Sequence, residues 1–138
     1  MKKIRTNKKG FTLAELLIVV AIIGVLVAIS IPIFTSQLQK ARLATNQANA
    51  RAAYAAVEAQ YLQDDTKTGN FTYSVSDGKI ASQAVTGGTA ITGDDKTNIS
   101  GWTTSTAAGD STLGKTTFKT WTLTVGDDGS VTAYIPGK

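Results

Sequence analysis

The hydrophobic pattern divides this chain of 138 residues into three parts, of which the first, residues 1–34, has a basic start and an apolar continuation. Residues 1–10 are polar and basic, residues 11–34 are almost wholly apolar, and the stretch from Leu16 to Phe34 carries no charge. An uncharged run of this length is about what a helix needs to cross ~30 Å of hydrocarbon. It leads into more helix-forming sequence and not into a small-residue cleavage site, so it predicts a membrane segment and not an ordinary secretory signal.

The second part, residues 35–64, predicts a continuation of the same helix. It contains no Gly or Pro and is rich in Ala, Gln, Leu and Arg, which are strong helix formers. A helix over residues 11–64 would be about 80 Å long. Within the apolar part, Gly24 weakens this helix and Pro32 removes one backbone hydrogen bond, so we predict a kink or a local loss of helix between them.

Two apolar stripes run along residues 34–62. One, the alanine face, follows alternating spacings of four and three and consists of Phe34, Leu38, Ala41, Thr45, Ala48, Ala52, Ala55, Ala59 and Leu62. The bulkier stripe lies roughly opposite and consists of Leu43, Ala50, Tyr54, Val57 and Tyr61, interrupted by Gln47. We assign the bulky stripe to the protein's own sheet and the alanine face to neighbouring helices, because small residues allow close approach. The high helix propensity of Ala is the alternative explanation for the alanine face.

The third part, residues 65–138, is rich in Thr, Ser, Gly and Asp and predicts short strands. The clearest hairpin alternates Trp121, Leu123 and Val125 with threonines, turns over residues 126–130, and continues with Val131, Ala133 and Ile135. A weaker hairpin surrounds Asp77-Gly78, after Phe71, Tyr73 and Val75. Residues 87–116 contain too many turn formers for an assignment.

These elements predict an α+β fold in which a long N-terminal helix packs against a small antiparallel sheet. The expected segments are a basic leader over 1–10, a membrane helix over 11–34, an amphipathic continuation over 35–64 and a β-sheet head over 65–138.

Charge and composition narrow the possible functions. The formal net charge is +4, yet its excess comes from the leader residues Lys2, Lys3, Arg5, Lys8 and Lys9. This distribution obeys the positive-inside rule for membrane segments, so DNA binding is not indicated. The chain has no Cys and no His, which excludes disulfides, thiolate metal sites, Cys nucleophiles and His-based acid–base catalysis. We therefore expect no enzyme activity, no cofactor and no metal.

The segment Lys8-Lys9-Gly10-Phe11-Thr12-Leu13-Ala14-Glu15-Leu16-Leu17 resembles the class III signal of type IV pilins and pseudopilins. In that family a membrane aspartyl peptidase cuts after the glycine and N-methylates the new terminus, which the resemblance maps to Gly10 and Phe11. Gly24 and Pro32 stand where family members place helix-weakening residues. Many pilins close a C-terminal loop with a disulfide; here the predicted hairpin over 121–135 would have to secure that end.

The resemblance implies a major pilin that polymerises through its N-terminal helix into surface filaments for adhesion, motility or DNA uptake. It would lie in the cytoplasmic membrane as a single-pass protein before assembly and on the cell surface afterwards. The implied partners are other copies of the chain, the prepilin peptidase, the pilus assembly platform, minor pilins and membrane lipid. The alternative is a pseudopilin of a type II secretion or competence system, although the large Thr-rich head favours a pilus. A membrane-anchored enzyme is disfavoured by the missing His and Cys.

Glu15 is a lone carboxylate near one end of the apolar run. A charge costs ~2.5–3.5 kcal/mol at mid-bilayer and less near the interface. Within this family pattern, Glu15 is expected to pair with the Phe11 ammonium of a neighbouring subunit, where the Coulomb energy is on the order of 4 kcal/mol. The alternative is a carboxylate that complements the helix dipole.

Two further patterns suggest ligands and have simpler explanations. Residues 109–116, Gly-Asp-Ser-Thr-Leu-Gly-Lys-Thr, match the phosphate-loop pattern, but a β-type sequence follows where a helix is required, which indicates a surface loop. The pairs Asp94-Asp95 and Asp127-Asp128 offer oxygen atoms to Ca²⁺, yet neither has the spacing of a calcium loop, and turns explain both.

Overall fold

The computed structural model of the protein describes Gly10, residues 12–64, 68–81, 90–91 and 99–138. It forms two compact units, Met1–Gln37 and Leu38–Lys138, the second of which we call the head. One helix, α1 (Leu13–Gln63), contributes to both units. The division at residue 34 expected from hydrophobicity stays a prediction.

Helix α1 is long because its sequence has only one glycine and one proline between its ends, so few residues oppose the helical conformation. Gly24 and Pro32 are both helical, so local loss of helix does not occur in this single chain, while the kink stays a prediction. The hydroxyls near Pro32 bond back to the helix: Ser30 Oγ donates to the Leu26 carbonyl at 2.6 Å, and Thr35 Oγ1 donates to the Ile31 carbonyl at 2.9 Å. Such internal bonds suit a segment without water around it.

The head carries a four-stranded antiparallel sheet in the order β2-β1-β5-β6. Its strands are β1 (Gly69–Ser74), β2 (Lys79–Ala81), β5 (Thr120–Val125) and β6 (Val131–Gly137). Two short strands, β3 (Ala107–Ala108) and β4 (Ser111–Thr112), pair separately, and a 3₁₀ turn spans Ile99–Gly101. This architecture confirms the predicted α+β fold.

Both predicted hairpins form, but the prediction for β6 is wrong after Val131. Leu123 pairs with Tyr134, while Val125 pairs with Val131, so β6 has one extra residue at a bulge. An extra residue shifts the following side chains to the opposite face. Tyr134 and Pro136 are therefore buried, and Ala133 and Ile135 are only partly covered.

The core of the head is aromatic. Trp102 stacks on Trp121 with ring centroids 5.7 Å apart, and Tyr134 meets Trp102 edge-on at 5.5 Å. Phe118 meets Trp121 edge-on at 5.8 Å. The helix contributes mostly small buried residues to this cluster: Ala50, Ala53 and Val57. Large rings thus provide the apolar contact area that a small Thr-rich head lacks elsewhere.

Candidate functional site

The N-terminal site begins at Gly10, which is exposed and precedes α1. Phe11 lies outside the described residues. Cleavage between Gly10 and Phe11 and methylation of Phe11 therefore stay predictions.

Thr12 and Glu15 form a reciprocal capping box at the start of α1. The Thr12 amide donates to Glu15 Oε2 at 3.4 Å, and the Glu15 amide donates to Thr12 Oγ1 at 3.2 Å. These bonds satisfy two amides that have no partner within the helix. The sequence reasoning missed this role, although the Thr-x-x-Glu spacing was its signal. An ionised carboxylate has about four acceptor positions, so capping is compatible with a second contact to a cation.

The apolar side chains of the first unit lie exposed in the single chain. Leu13 is 75% exposed, Leu16 51% and Phe34 69%, and the large apolar side chains between them are also exposed. By length and composition, α1 is the one helix of the described residues that could cross a membrane. This segment therefore needs lipid or other protein chains around it.

Within the head, the two predicted stripes of the helix have different surroundings. From Leu38 to Leu62 every residue of the alanine face is exposed. On the bulky stripe, Ala50 and Val57 are fully buried and Leu43 is partly covered. These contacts confirm the assignment of the bulky stripe to the protein's own sheet, except that Tyr54 remains 43% exposed. Contact of the alanine face with neighbouring helices stays a prediction.

Asn46 is a buried polar residue that the sequence reasoning missed. Its Nδ2 donates to the carbonyls of Leu113 at 2.9 Å and Thr116 at 2.8 Å, and its Oδ1 accepts from the Phe118 amide at 3.2 Å. One side chain thus fixes the loop that leads into β5. Its position three residues after Leu43 and four before Ala50 was the available signal, but only apolar residues had been considered.

Neighbouring polar residues of α1 bind adjacent loops. Arg42 Nη1 donates to the Lys115 carbonyl at 2.9 Å, Gln47 Nε2 to the Ile99 carbonyl at 2.9 Å, and Arg51 Nη2 to Ser100 Oγ at 2.9 Å. Together with Asn46 these side chains anchor the turns that precede the last hairpin. The sheet secures the C-terminal strand, as predicted, because β6 pairs with β5.

The phosphate-loop pattern forms β4, a turn and an irregular segment before β5, so the helix that phosphate binding requires does not follow. Gly114 is required for a steric reason and not for phosphate binding. A Cβ there would lie 2.7 Å from Thr104 Cβ, and the Gly114 amide donates to the Thr104 carbonyl at 2.9 Å. The glycine therefore serves backbone packing, which agrees with the predicted loop.

The Asp127-Asp128 pair lies in the β5–β6 turn. Asp128 Oδ1 accepts from the Ser130 amide at 3.1 Å and from Ser130 Oγ at 2.7 Å, which explains this acid as a turn former. Gly129 has φ +80°, and a Cβ there would lie 2.5 Å from the Tyr61 ring, so the turn packs directly on α1. Asp94 and Asp95 lie outside the described residues. The described part of the chain contains no cluster of three potential metal-binding side chains.

The comparisons with known proteins concern the N-terminal part of the chain. The family model described as the prokaryotic N-terminal methylation motif matches residues 5–31. The type IV narrow pilus major component PilA5 of Thermus thermophilus is 53% identical over 53 residues, which cover 38% of this chain and 42% of that protein. The type IV major pilin protein PilA of Myxococcus xanthus is 37% identical over 65 residues, 47% of this chain and 30% of that protein.

A third relative, the type IV major alpha-pilin of Moraxella bovis, is 39% identical over 59 residues, 43% of this chain and 37% of that protein. The chain spans less than half of the length of the curated relatives it matches. No solved structure matches it significantly. The methylation motif, the exposed apolar helix and these pilin relatives agree on the same segment, and over that segment the chain is similar to type IV pilins.

Proposed function

We propose that this protein is a major pilin, the structural subunit of a surface filament. The observation that carries the proposal is the methylation motif over residues 5–31 at the start of a helix whose apolar side chains are exposed in the single chain. Exposed apolar surface of this extent must be covered by an apolar environment. Lipid supplies it before assembly, and the helices of other copies supply it in the filament.

In this proposal the prepilin peptidase cuts after Gly10 and methylates Phe11, and residues 1–10 are the leader that it removes. Residues 11–34 then hold the subunit in the cytoplasmic membrane as a single pass. Residues 35–64 link that segment to the β-sheet residues 65–138, and the exposed alanine face packs on neighbouring helices, since its small side chains permit close approach.

Glu15 is proposed to guide assembly. Its carboxylate caps its own helix through the Thr12 amide and, in the filament, also accepts from the Phe11 ammonium of a neighbouring subunit. In an apolar bundle that pair fixes the register between subunits, because either charge alone would be buried without a counter-ion. A bend at Gly24 or Pro32 would let the helix adjust to its neighbours.

The filament would be extruded by the pilus assembly platform with minor pilins and would serve adhesion, motility or DNA uptake. The three named relatives are pilus components, which supports a pilus over the pseudopilin alternative.

The test is to shear filaments from the cell surface and to measure the intact mass of their main subunit. A chain that begins at methylated Phe11 is expected. A subunit that is processed but remains in the membrane would favour the pseudopilin, and an unprocessed chain would refute the cleavage site.

A further inference from the structure

Charge is unevenly distributed over the head, and its two ends can be located from hydrogen bonds and strand register. At one end a row of paired residues crosses the sheet from Lys79 through Ser74 and Thr120 to Gly137. At the other end Gly69 pairs with Val125, and Val125 with Val131. Strand β5 therefore runs from the first end to the second.

Helix α1 connects the same two ends. Near its entry into the head, Arg42 binds the Lys115 carbonyl, so this part of α1 lies beside the loop that precedes β5. Near its C-terminus, Tyr61 packs against Gly129 in the β5–β6 turn. The helix from Arg42 to Tyr61 spans about 28 Å, which exceeds the Debye length of ~8 Å at physiological salt. The two ends therefore act as separate electrostatic surfaces.

The first end, which we call the basic end, carries Lys40, Arg42, Lys79, Lys115, Lys119 and Lys138. Its described acids are Asp77 and Asp110, and Asp110 is already paired with Lys138 at 3.0 Å. Lys79, Lys115 and Lys119 are exposed. Among the described residues, the basic end thus retains a positive excess.

The second end, the acidic end, carries Glu58, Asp64, Asp127 and Asp128. Its described residues include no Lys or Arg. The Asp127 side chain is exposed on the turn. One molecule therefore presents opposite charge at opposite ends.

We propose that the acidic end of one subunit contacts the basic end of the next, so that the occupant of each end is a second copy of this chain. Opposite patches on two ends of one molecule make a heterologous contact, which repeats as an open filament. Complementary charge also sets orientation and suppresses like-to-like contacts. This inference rests on the proposed filament function and adds a contact between heads to the contacts between N-terminal helices.

Charge reversal in the full-length chain tests the contact. One variant combines Lys115→Glu with Lys119→Glu, a second combines Asp64→Lys with Asp127→Lys, and a third carries all four changes. The matched controls are Lys→Arg and Asp→Glu at the same positions, which keep the charge. Surface filament yield is measured against the subunit in the membrane pool, and protease resistance of that pool reports folding.

Each separate reversal is expected to lower filament yield about tenfold or more, because exposed pairs are weak singly but repeat at every contact. The fourfold variant is expected to return to within about twofold of wild type, since the charges are again complementary. Separate reversals without effect, or a fourfold variant as poor as either, would overturn the proposal. Loss with the lysine variant alone would overturn it in favour of an anionic partner such as lipid headgroups.

Salt gives a second measurement that needs no variant. Wild-type filaments should release more subunit under constant shear at 1 M than at 0.1 M NaCl, because the Debye length falls from about 10 Å to about 3 Å. Release that is independent of salt would contradict the contact. Wild-type cells without any filament would refute the proposed function and the contact that rests on it, whereas filaments that respond neither to charge reversal nor to salt would refute the contact between heads alone.

Discussion

The two units of this protein use their apolar residues in opposite ways. In the first unit Leu13 and Phe34 are 75% and 69% exposed, whereas in the head Trp121 and Leu123 are fully buried. The head has an aromatic core and polar side chains that anchor its loops, so its own contacts stabilise it. The apolar segment of the first unit has no core of its own, so its side chains need lipid or other protein chains around them. Changes in the two units should therefore affect different properties.

The largest expected effect is on assembly. Glu15→Leu removes half of the capping box and the proposed partner of the neighbouring Phe11 ammonium, which leaves that charge buried at a cost of about 3–5 kcal/mol. Surface filaments should disappear while processed subunit remains in the membrane. Thr12→Ala is the matched control, since it also breaks the capping box but keeps the carboxylate. Filament yield at the wild-type level in Glu15→Leu would limit this residue to helix capping.

The contrast between the units also predicts that the head folds without the apolar segment. A fragment from Thr35 to Lys138 should be a soluble monomer, because it keeps the core and loses the exposed apolar residues. Circular dichroism should report helix and sheet together, and size-exclusion chromatography should report one copy. An aggregated or purely helical fragment would mean that the head depends on the first unit.

Asn46→Ala should destabilise that fragment by about 3 kcal/mol, because three backbone groups, two buried and one partly buried, lose their partner at once. Thr45→Ala is the matched control: its hydroxyl lies on the exposed alanine face and bonds only within its own helix, to the Ala41 carbonyl. Its effect should stay within about 0.5 kcal/mol. Urea unfolding measures both, and equal effects would show that Asn46 does not anchor the loop.

Gly129→Ala should cost about 2 kcal/mol, because the added methyl group combines a positive φ with a clash against Tyr61. Gly69→Ala separates the two causes. Gly69 also has a positive φ, of 103°, but nothing lies within 4 Å of its Cβ position. A similar loss of stability in both variants would mean that contact between the turn and α1 is unimportant.

The smallest effect concerns pH. Burial, together with the negative charges of Tyr54 and Glu58, raises the pKa of Tyr134 to about 12. The folded head therefore favours the protonated phenol, so the contribution of Tyr134 to stability should be constant below about pH 10 and be lost between about pH 10 and 12. Tyr134→Phe should flatten that part of the profile relative to the parent fragment. An unchanged alkaline decline in the variant would assign it to other groups.

Much of the fold was predictable because it depends on local sequence. The alternation of Trp121, Leu123 and Val125 around a turn rich in Gly and Asp predicts a hairpin wherever it occurs. The face of β6 was not predictable, since the bulge opposite Val125 depends on the register between two strands. Asn46 was missed for a related reason: a polar residue on a buried stripe is recognised only when its partners in the loop after Gly109 are known.

The candidate site likewise has features that the sequence predicts and features that only the folded chain shows. The basic leader, Gly10-Phe11 and the uncharged helix are contiguous in the sequence, so composition and spacing were sufficient to predict a membrane segment, and the motif itself carries the resemblance to pilins. The Thr12–Glu15 capping box also follows from spacing, because its members stand three positions apart. The opposite charges at the two ends of the head cannot be predicted from spacing. Lys79 is far from Lys115 and Lys119 in the sequence, and only strand register brings the three to one end.

The sequence by itself therefore determined that this protein has a long helix with an apolar first part and a small β-rich head, because helix propensity and hydrophobic periodicity act over neighbouring residues. The tertiary structure decided which side of that helix is covered, which residues of β6 enter the core and where charge accumulates. Those features depend on contacts between residues such as Asn46 and Phe118, which only the folded chain brings together.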